Sequence, residues 1–145
     1  MLIRTYQATD LAAVLAVWED CHLLRSWSNP EYDIAVKLAF QPELLLVAAC
    51  DGRVVGTVMA GYEGHRGWIN YLGVLPAYRR RGIASALMAE AERRLLRLGA
   101  PKINLQIRRD NLDVQVFYAS QGYSDDEVIG WGKRLAPEQR QGMSA

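Results

Sequence analysis

Apolar and polar positions follow two rhythms along the chain, one of period two and one near 3.6, and the switches between them mark out the elements. Leu2 to Tyr6 reads as a first strand. Asp10 is placed to cap a helix whose apolar stripe is Leu11, Val14, Leu15, Trp18 and Cys21. After a polar loop, Asn29 and Pro30 suit an N-cap and a first helical position, which predicts a second helix over roughly Pro30 to Phe40. Leu44 to Cys50 is an apolar run of strand length, Asp51-Gly52 is a two-residue hairpin turn, and Arg53 to Tyr62 is the returning strand. The loop Glu63 to Gly67 leads into another strand, Trp68 to Val74, which Pro76 stops. A long helix opens at Gly82, with Ala84, Leu87, Met88, Ala91, Leu95 and Leu98 as its core stripe and Gly99 as its stop. Ile103 to Ile107 alternates as a strand. Asp110 or Asn111 caps a short helix to Gln121, closed by Gly122, and Tyr123 onward predicts a final strand pair ending near Leu135. The polar tail from Ala136 to Ala145 is expected to fray.

This order predicts a mixed α/β domain around a central sheet, spanning residues 1–145 as one unit. The strand–helix–strand passage from Ile69 to Ile107 calls for two parallel strands joined by a right-handed crossover. Seventeen basic residues against sixteen acidic leave a net charge of +1, which argues against a nucleic-acid partner. Cys21 and Cys50 make neither a disulfide framework nor a zinc site, and they suit a reducing compartment. The first residues lack a signal-peptide layout, and the longest apolar run, Leu44 to Cys50, is too short to cross a bilayer. The expectation is a cytoplasmic protein with no membrane partner and no metal.

The chemistry concentrates in the stretch from Leu72 to Ser85, where a strand gives way to an arginine- and glycine-rich turn and then to a helix. A helix start offers unpaired N–H groups and a partial positive charge. Gly82 allows backbone to approach a ligand closely. Together these describe a cradle for a pyrophosphate. The spacing fits neither the Walker loop nor the dinucleotide fingerprint, which disfavours ATP and NAD.

Arg79-Arg80-Arg81-Gly82-Ile83-Ala84 resembles the Gln/Arg-x-x-Gly-x-Gly/Ala loop of the GNAT superfamily of acetyl-CoA-dependent N-acetyltransferases. Leu72-Gly73-Val74-Leu75-Pro76 resembles the strand before that loop, and Asn111, Phe117-Tyr118 and Gly122-Tyr123 resemble the family's second signature. The element order matches over nearly the whole chain, and Trp27-Ser28-Asn29-Pro30 is similar to a loop of small bacterial members. The resemblance implies the three-layer α/β/α acyl-CoA N-acyltransferase fold and direct transfer of acetyl from acetyl-CoA to a primary amine. No cysteine occupies a nucleophile position, which agrees with direct attack.

The resemblance also implies roles. The strand ending at Val74 splays from the Ile103–Ile107 strand, admitting the pantetheine arm, with the thioester beside Leu72, Gly73 and Val74. The pyrophosphate rests on Arg79, Arg80, Arg81, Gly82, Ile83, Ala84 and Ser85. Asn111 serves the cofactor arm, caps its helix, or does both. Tyr118 faces the leaving thiolate as a hydrogen-bond donor; its plain alternative is a half-buried aromatic. Many relatives carry a glutamate on the strand before the loop, but Trp68-Ile69-Asn70-Tyr71-Leu72 has no carboxylate. Glu63 and His65 are then the nearest titratable candidates, each also readable as an exposed loop residue, with a water chain to Glu63 or Tyr71 as another route. Glu63 is taken as the catalytic candidate, and Arg25, Trp27, Asn29, His65 and Asn70 as the acceptor side. The missing strand carboxylate keeps a second function open, a catalytically weak CoA-binding sensor or regulatory module. Monomer and homodimer are both compatible with the sequence.

Overall fold

The computed structural model describes residues 1–136; the predicted frayed tail lies, apart from Ala136, outside them. Strands β1 (Leu2–Thr5), β2 (Leu45–Cys50), β3 (Arg53–Tyr62), β4 (Gly67–Val74) and β5 (Ile103–Leu105) form one sheet in the order β1-β2-β3-β4-β5. The first four are antiparallel neighbours, and β4 pairs with β5 in parallel. Helices α1 (Leu11–Asp20) and α2 (Pro30–Phe40) precede the β2–β4 meander, α3 (Ile83–Leu98) links β4 to β5, and α4 (Leu112–Ser120) follows.

Local chemistry accounts for most boundaries. Asp51 and Gly52 have φ of 51° and 80°, the paired left-handed conformation that a tight hairpin requires. Asn29 accepts a hydrogen bond from the Tyr32 amide at 3.1 Å, and Pro30 occupies the first turn, so α2 starts where the sequence places it. Asn111, not Asp110, caps α4 by accepting from the Val114 amide. Gly99 is left-handed at φ 100°, and the Ala100 amide returns to the Leu95 carbonyl at 3.0 Å, closing α3.

The core lies on both faces of the sheet. Leu87, Met88, Ala91 and Leu95 of α3 are buried against one face. Val14, Val17 and Trp18 of α1 are fully buried against the other. Close approach is built in at Gly56, where a Cβ would lie 3.2 Å from both the Gly73 carbonyl and Leu87.

Three expectations change. Asp10 makes no side-chain cap for α1; it accepts from the Gln7 amide at 2.8 Å and pairs with Arg4 at 2.7 Å, stabilising the short turn before the helix. The strand expected to Ile107 ends at Leu105. The strand pair expected from Tyr123 to Leu135 does not form. The Glu127 amide bonds to Asp125 at 2.7 Å in a local turn and Glu127 takes φ 57°, which breaks the extended run. Val128, Ile129, Trp131 and Leu135 remain between 70% and 91% exposed, so that alternation has no face to bury.

The decisive irregularity is in β4. Thr57 aligns with Gly73 but Met59 aligns with Asn70, so Tyr71 and Leu72 together face Val58. This is a β-bulge, and Tyr71 takes φ 53° within it. The Thr57 hydroxyl fixes it, accepting from the Trp18 indole N–H at 3.0 Å and donating to the Tyr71 carbonyl at 2.8 Å. Thr57 is itself fully buried. Replacing Thr57 by Val keeps the shape but strands a buried indole N–H and a carbonyl. The expected loss is about 2–4 kcal/mol in urea denaturation, and an unchanged midpoint would show that the bulge does not need the hydroxyl.

The hydrogen bond from Arg4 holds the Asp10 carboxyl below the usual carboxylate range. Such a group contributes stability above its unfolded value near 3.9 and loses it as pH falls through the lower folded value. Asp10→Asn is therefore expected to destabilise by about 2 kcal/mol at pH 7. The gap to wild type should close in acid, as measured by denaturation at pH 7 and pH 3.

Candidate active site

The parallel pairing of β4 with β5 covers only Gly67–Ile103, Trp68–Asn104 and Ile69–Leu105. From Asn70 to Val74, β4 has no strand on its β5 side, and the chain beyond Leu105 diverges. The resulting cleft is lined by Asn70, Tyr71 and Leu72 on β4, by Gln106 and Ile107 after β5, by Asn111 and Tyr118 from α4, and by Arg25, Trp27 and Asp33 from the α1–α2 region.

At one end of β4, the turn into α3 is built for close backbone approach. Arg80 and Gly82 have φ of 65° and 77°, and no heavy atom lies within 4 Å of where a Gly82 Cβ would point. Gly82 is the N-cap residue and supplies no side-chain cap, so the first amides of α3 are left for another partner. The three arginines divide. Arg79 turns back, donating from Nε to the Val74 carbonyl at 3.0 Å, so its side chain closes the end of β4. Arg81 lies over the Tyr78 ring at 5.1 Å. Arg80 and Arg81 are exposed. Ile83 is buried as the anchor of α3, and Ala84 packs against the core.

Helix α4 is joined to this turn: Gln121 donates to the Ser85 hydroxyl at 3.1 Å. Tyr118, one turn earlier, is 7% exposed and meets Phe117 and Tyr123 edge-on, at centroid distances of 5.2 and 5.5 Å. Burial pushes its phenol up to about 12. The hydroxyl has no hydrogen-bond partner among the described residues and is not enclosed, so it opens to the cleft.

The acceptor-side candidates separate. Arg25, Trp27 and Asn70 line the cleft. Asn29 does not line it, and its side chain caps α2. Glu63 and His65 are exposed in the β3–β4 loop, outside the cleft lining. The Glu63 carboxylate accepts from the amides of Arg66 and His65, which hold it below the usual carboxylate range.

Four groups in the cleft had no sequence signal. Asp33 accepts a hydrogen bond from the Tyr71 hydroxyl at 2.6 Å. Lys37, one turn along α2, is buried and donates to Gln41 at 3.1 Å; burial lowers its pKa. Cys21 lies at the cleft, where its thiol meets the Val74 carbonyl at 3.3 Å. Burial raises the Cys21 pKa, and the contact with Arg79 opposes that rise. Asn104 carries, at Oδ1, the one buried side-chain N or O atom without a partner among the described residues. Only the helical spacing of Asp33 and Lys37 hinted that they share a face.

Among the described residues no helix is long and apolar enough to cross a membrane, and no group of three or more metal-ligating side chains converges. The family model for the Acetyltransferase (GNAT) family matches residues 11–123. A protein of Yersinia pestis (strain Pestoides F) named acetyltransferase is 48% identical over 139 residues, covering 96% of this chain and 99% of the relative. The aminoglycoside antibiotic 6'-N-acetyltransferase of Acinetobacter haemolyticus shares the fold with a TM-score of 0.76 at 22% identity, over 94% of this chain and 100% of that one. The acetyltransferase AAC(6')-Iy, in complex with the bisubstrate analog CoA-S-monomethyl-acetylneamine, gives a TM-score of 0.73 at 20% identity, over 92% and 98%. With a splayed β4–β5 pair, an uncapped α3 start and this similarity along its length, the chain belongs to the GNAT family and is an acetyltransferase.

Proposed function

We propose that the protein transfers the acetyl group of acetyl-CoA directly to a primary amine, in the reducing cytoplasm that its cysteine usage suits. The observation that carries this reading is the docking of α4, the helix that carries Tyr118, on the uncapped first turn of α3 through Gln121 and Ser85. The residues fit the cofactor. Amides from Gly82 to Ser85 meet the diphosphate where a Cβ would have open space, with Arg80 and Arg81 adding charge. The free β5-facing edge of Asn70–Val74 takes the pantetheine amides as an added strand would. Asn111 stands beside that arm, and the Leu72–Val74 backbone offers N–H groups to the carbonyl oxygen.

Acetyl-CoA supplies an activated acetyl thioester. The chain's own residues supply position and hydrogen bonds. Tyr118 is neutral across the working pH range, because its phenol sits near 12. Full proton transfer from it to a thiolate of ordinary pKa near 8.5 is uphill. Its role is therefore a hydrogen bond that strengthens as charge grows on sulfur. Arg25, Trp27 and Asn70 line the acceptor side. The CoA-sensor alternative is not favoured, since the relatives are named acetyltransferases and Tyr118 opens to the cleft. Structural neighbours include an aminoglycoside antibiotic 6'-N-acetyltransferase, but likeness at this identity carries fold rather than acceptor.

Tyr118→Phe should lower kcat at least tenfold while leaving CoA affinity within about threefold, measured by CoA release and by calorimetry. Unchanged kcat would remove the assigned role. Gly82→Leu should weaken CoA at least tenfold by filling the diphosphate approach. Its left-handed φ adds strain of about 1–2 kcal/mol, which a parallel thermal melt separates from lost binding. Normal CoA affinity in that variant would overturn the cradle.

A further inference from the structure

The expected glutamate of the strand before the loop is absent, and Glu63 is turned into its own loop. On the α1–α2 side of the cleft the carboxylate is Asp33, from α2. Asp33 is half-buried, and one of its oxygens, Oδ2, accepts from Tyr71 at 2.6 Å. Its other oxygen has no partner among the described residues and is not enclosed.

Tyr71 is held on three sides. Its ring stacks on the fully buried Trp18 with centroids 3.7 Å apart and planes at 7°. Its carbonyl accepts from Thr57 and its hydroxyl donates to Asp33. The carboxylate is thereby oriented before any ligand arrives.

The charged or titratable groups that line the cleft from the α1–α2 side are, besides Asp33, Cys21, His22, Arg25, Tyr32 and Lys37, and carboxylates also line it at Glu92, Asp110, Asp125 and Asp126. None forms an ion pair with Asp33; Lys37 is bonded to Gln41. The free oxygen of Asp33 is an acceptor. A ligand that completes it must bring an N–H or O–H donor, and a charged carboxylate in a half-buried site favours a cation. A protonated alkylamine brings three donors and the charge.

We infer that Asp33, oriented by Tyr71, is the anchoring residue for the acceptor's ammonium group, so that the enzyme selects cationic alkylamines over neutral acceptors; this assignment rests on amine acetylation being the reaction. Asp33 is a binding residue and Tyr71 a positioning residue. Burial lifts the Asp33 pKa above the ordinary carboxylate range, and the Tyr71 hydrogen bond opposes that lift. Ammonium binding is therefore present above the Asp33 pKa and lost as pH falls through it.

The test is calorimetric titration of the full chain with spermidine, tyramine and lysine methyl ester, with and without CoA, and with tyrosol as the neutral counterpart of tyramine. Wild type should bind at least one of the three cations and prefer tyramine to tyrosol. Asp33→Asn should weaken that cation at least tenfold with CoA affinity and melting temperature unchanged. Tyr71→Phe should bind it within a few-fold at pH 8 but lose it at higher pH than wild type does, because the bond that favours the charged carboxylate is gone. A purely structural pair would not move that limb, so Tyr71→Phe decides the matter if Asp33→Asn does not fold. The assignment is overturned if wild type binds none of the three cations, if Asp33→Asn binds them as wild type does, or if the acid limb of Tyr71→Phe stays in place. Loss of CoA binding by wild type would instead strike the acetyl-transfer reading, since the amine titration without CoA is read separately.

Discussion

One threonine hydroxyl fixes the geometry on which the site depends. Thr57 accepts from the indole of Trp18 and donates to the carbonyl of Tyr71, tying α1, β3 and β4 at one buried point. A regular β4 would continue its alternation from Asn70 to Val74. The bulge instead puts Tyr71 and Leu72 opposite a single residue and bends the strand where its pairing with β5 stops. Tyr71 sits at φ 53°, a conformation that costs a non-glycine residue about 1 kcal/mol or more. The Thr57 bond, the stack on Trp18 and the bond to Asp33 offset that cost.

From this bend the two halves of the site follow. On the α3 side, β4 ends at Val74, whose carbonyl is closed by Arg79 and Cys21, and the chain enters α3 through left-handed residues that leave the first amides free. On the α4 side, Gln121 joins the same first turn and Tyr118 opens its hydroxyl to the cleft. Arginine here works in two ways, since all three are exposed but Arg79 bonds the strand end while Arg81 lies over the Tyr78 ring. A charge run in a sequence does not say which members are committed to structure.

The electrostatics of the cleft differ from end to end. The α3 start carries the positive pole of a sixteen-residue helix, suited to phosphate. The α2 side carries Asp33, a carboxylate with one oxygen fixed and one open.

Much of this was legible in the residues alone. The hairpin at Asp51-Gly52, the caps at Asn29, Asn111 and Gly99, and the loop around Gly82 are written in local chemistry, because each depends on a turn or helix end only a few residues long. The Arg79–Ser85 turn and Tyr118 could be singled out because each lies in a short motif of near neighbours in the chain. The strand pair after Tyr123 was misread because alternation predicts a strand only where a sheet edge and a core face receive it, and the turn at Glu127 denies both. Asp33 was invisible for a related reason. It is 38 residues from Tyr71 in the chain, and nothing at either position signals the other. Local pattern fixed the elements and the phosphate turn, since those depend on neighbours in sequence. That Asp33 meets Tyr71 depended on how α2 packs against a bulged strand, and only the folded chain brings those two together.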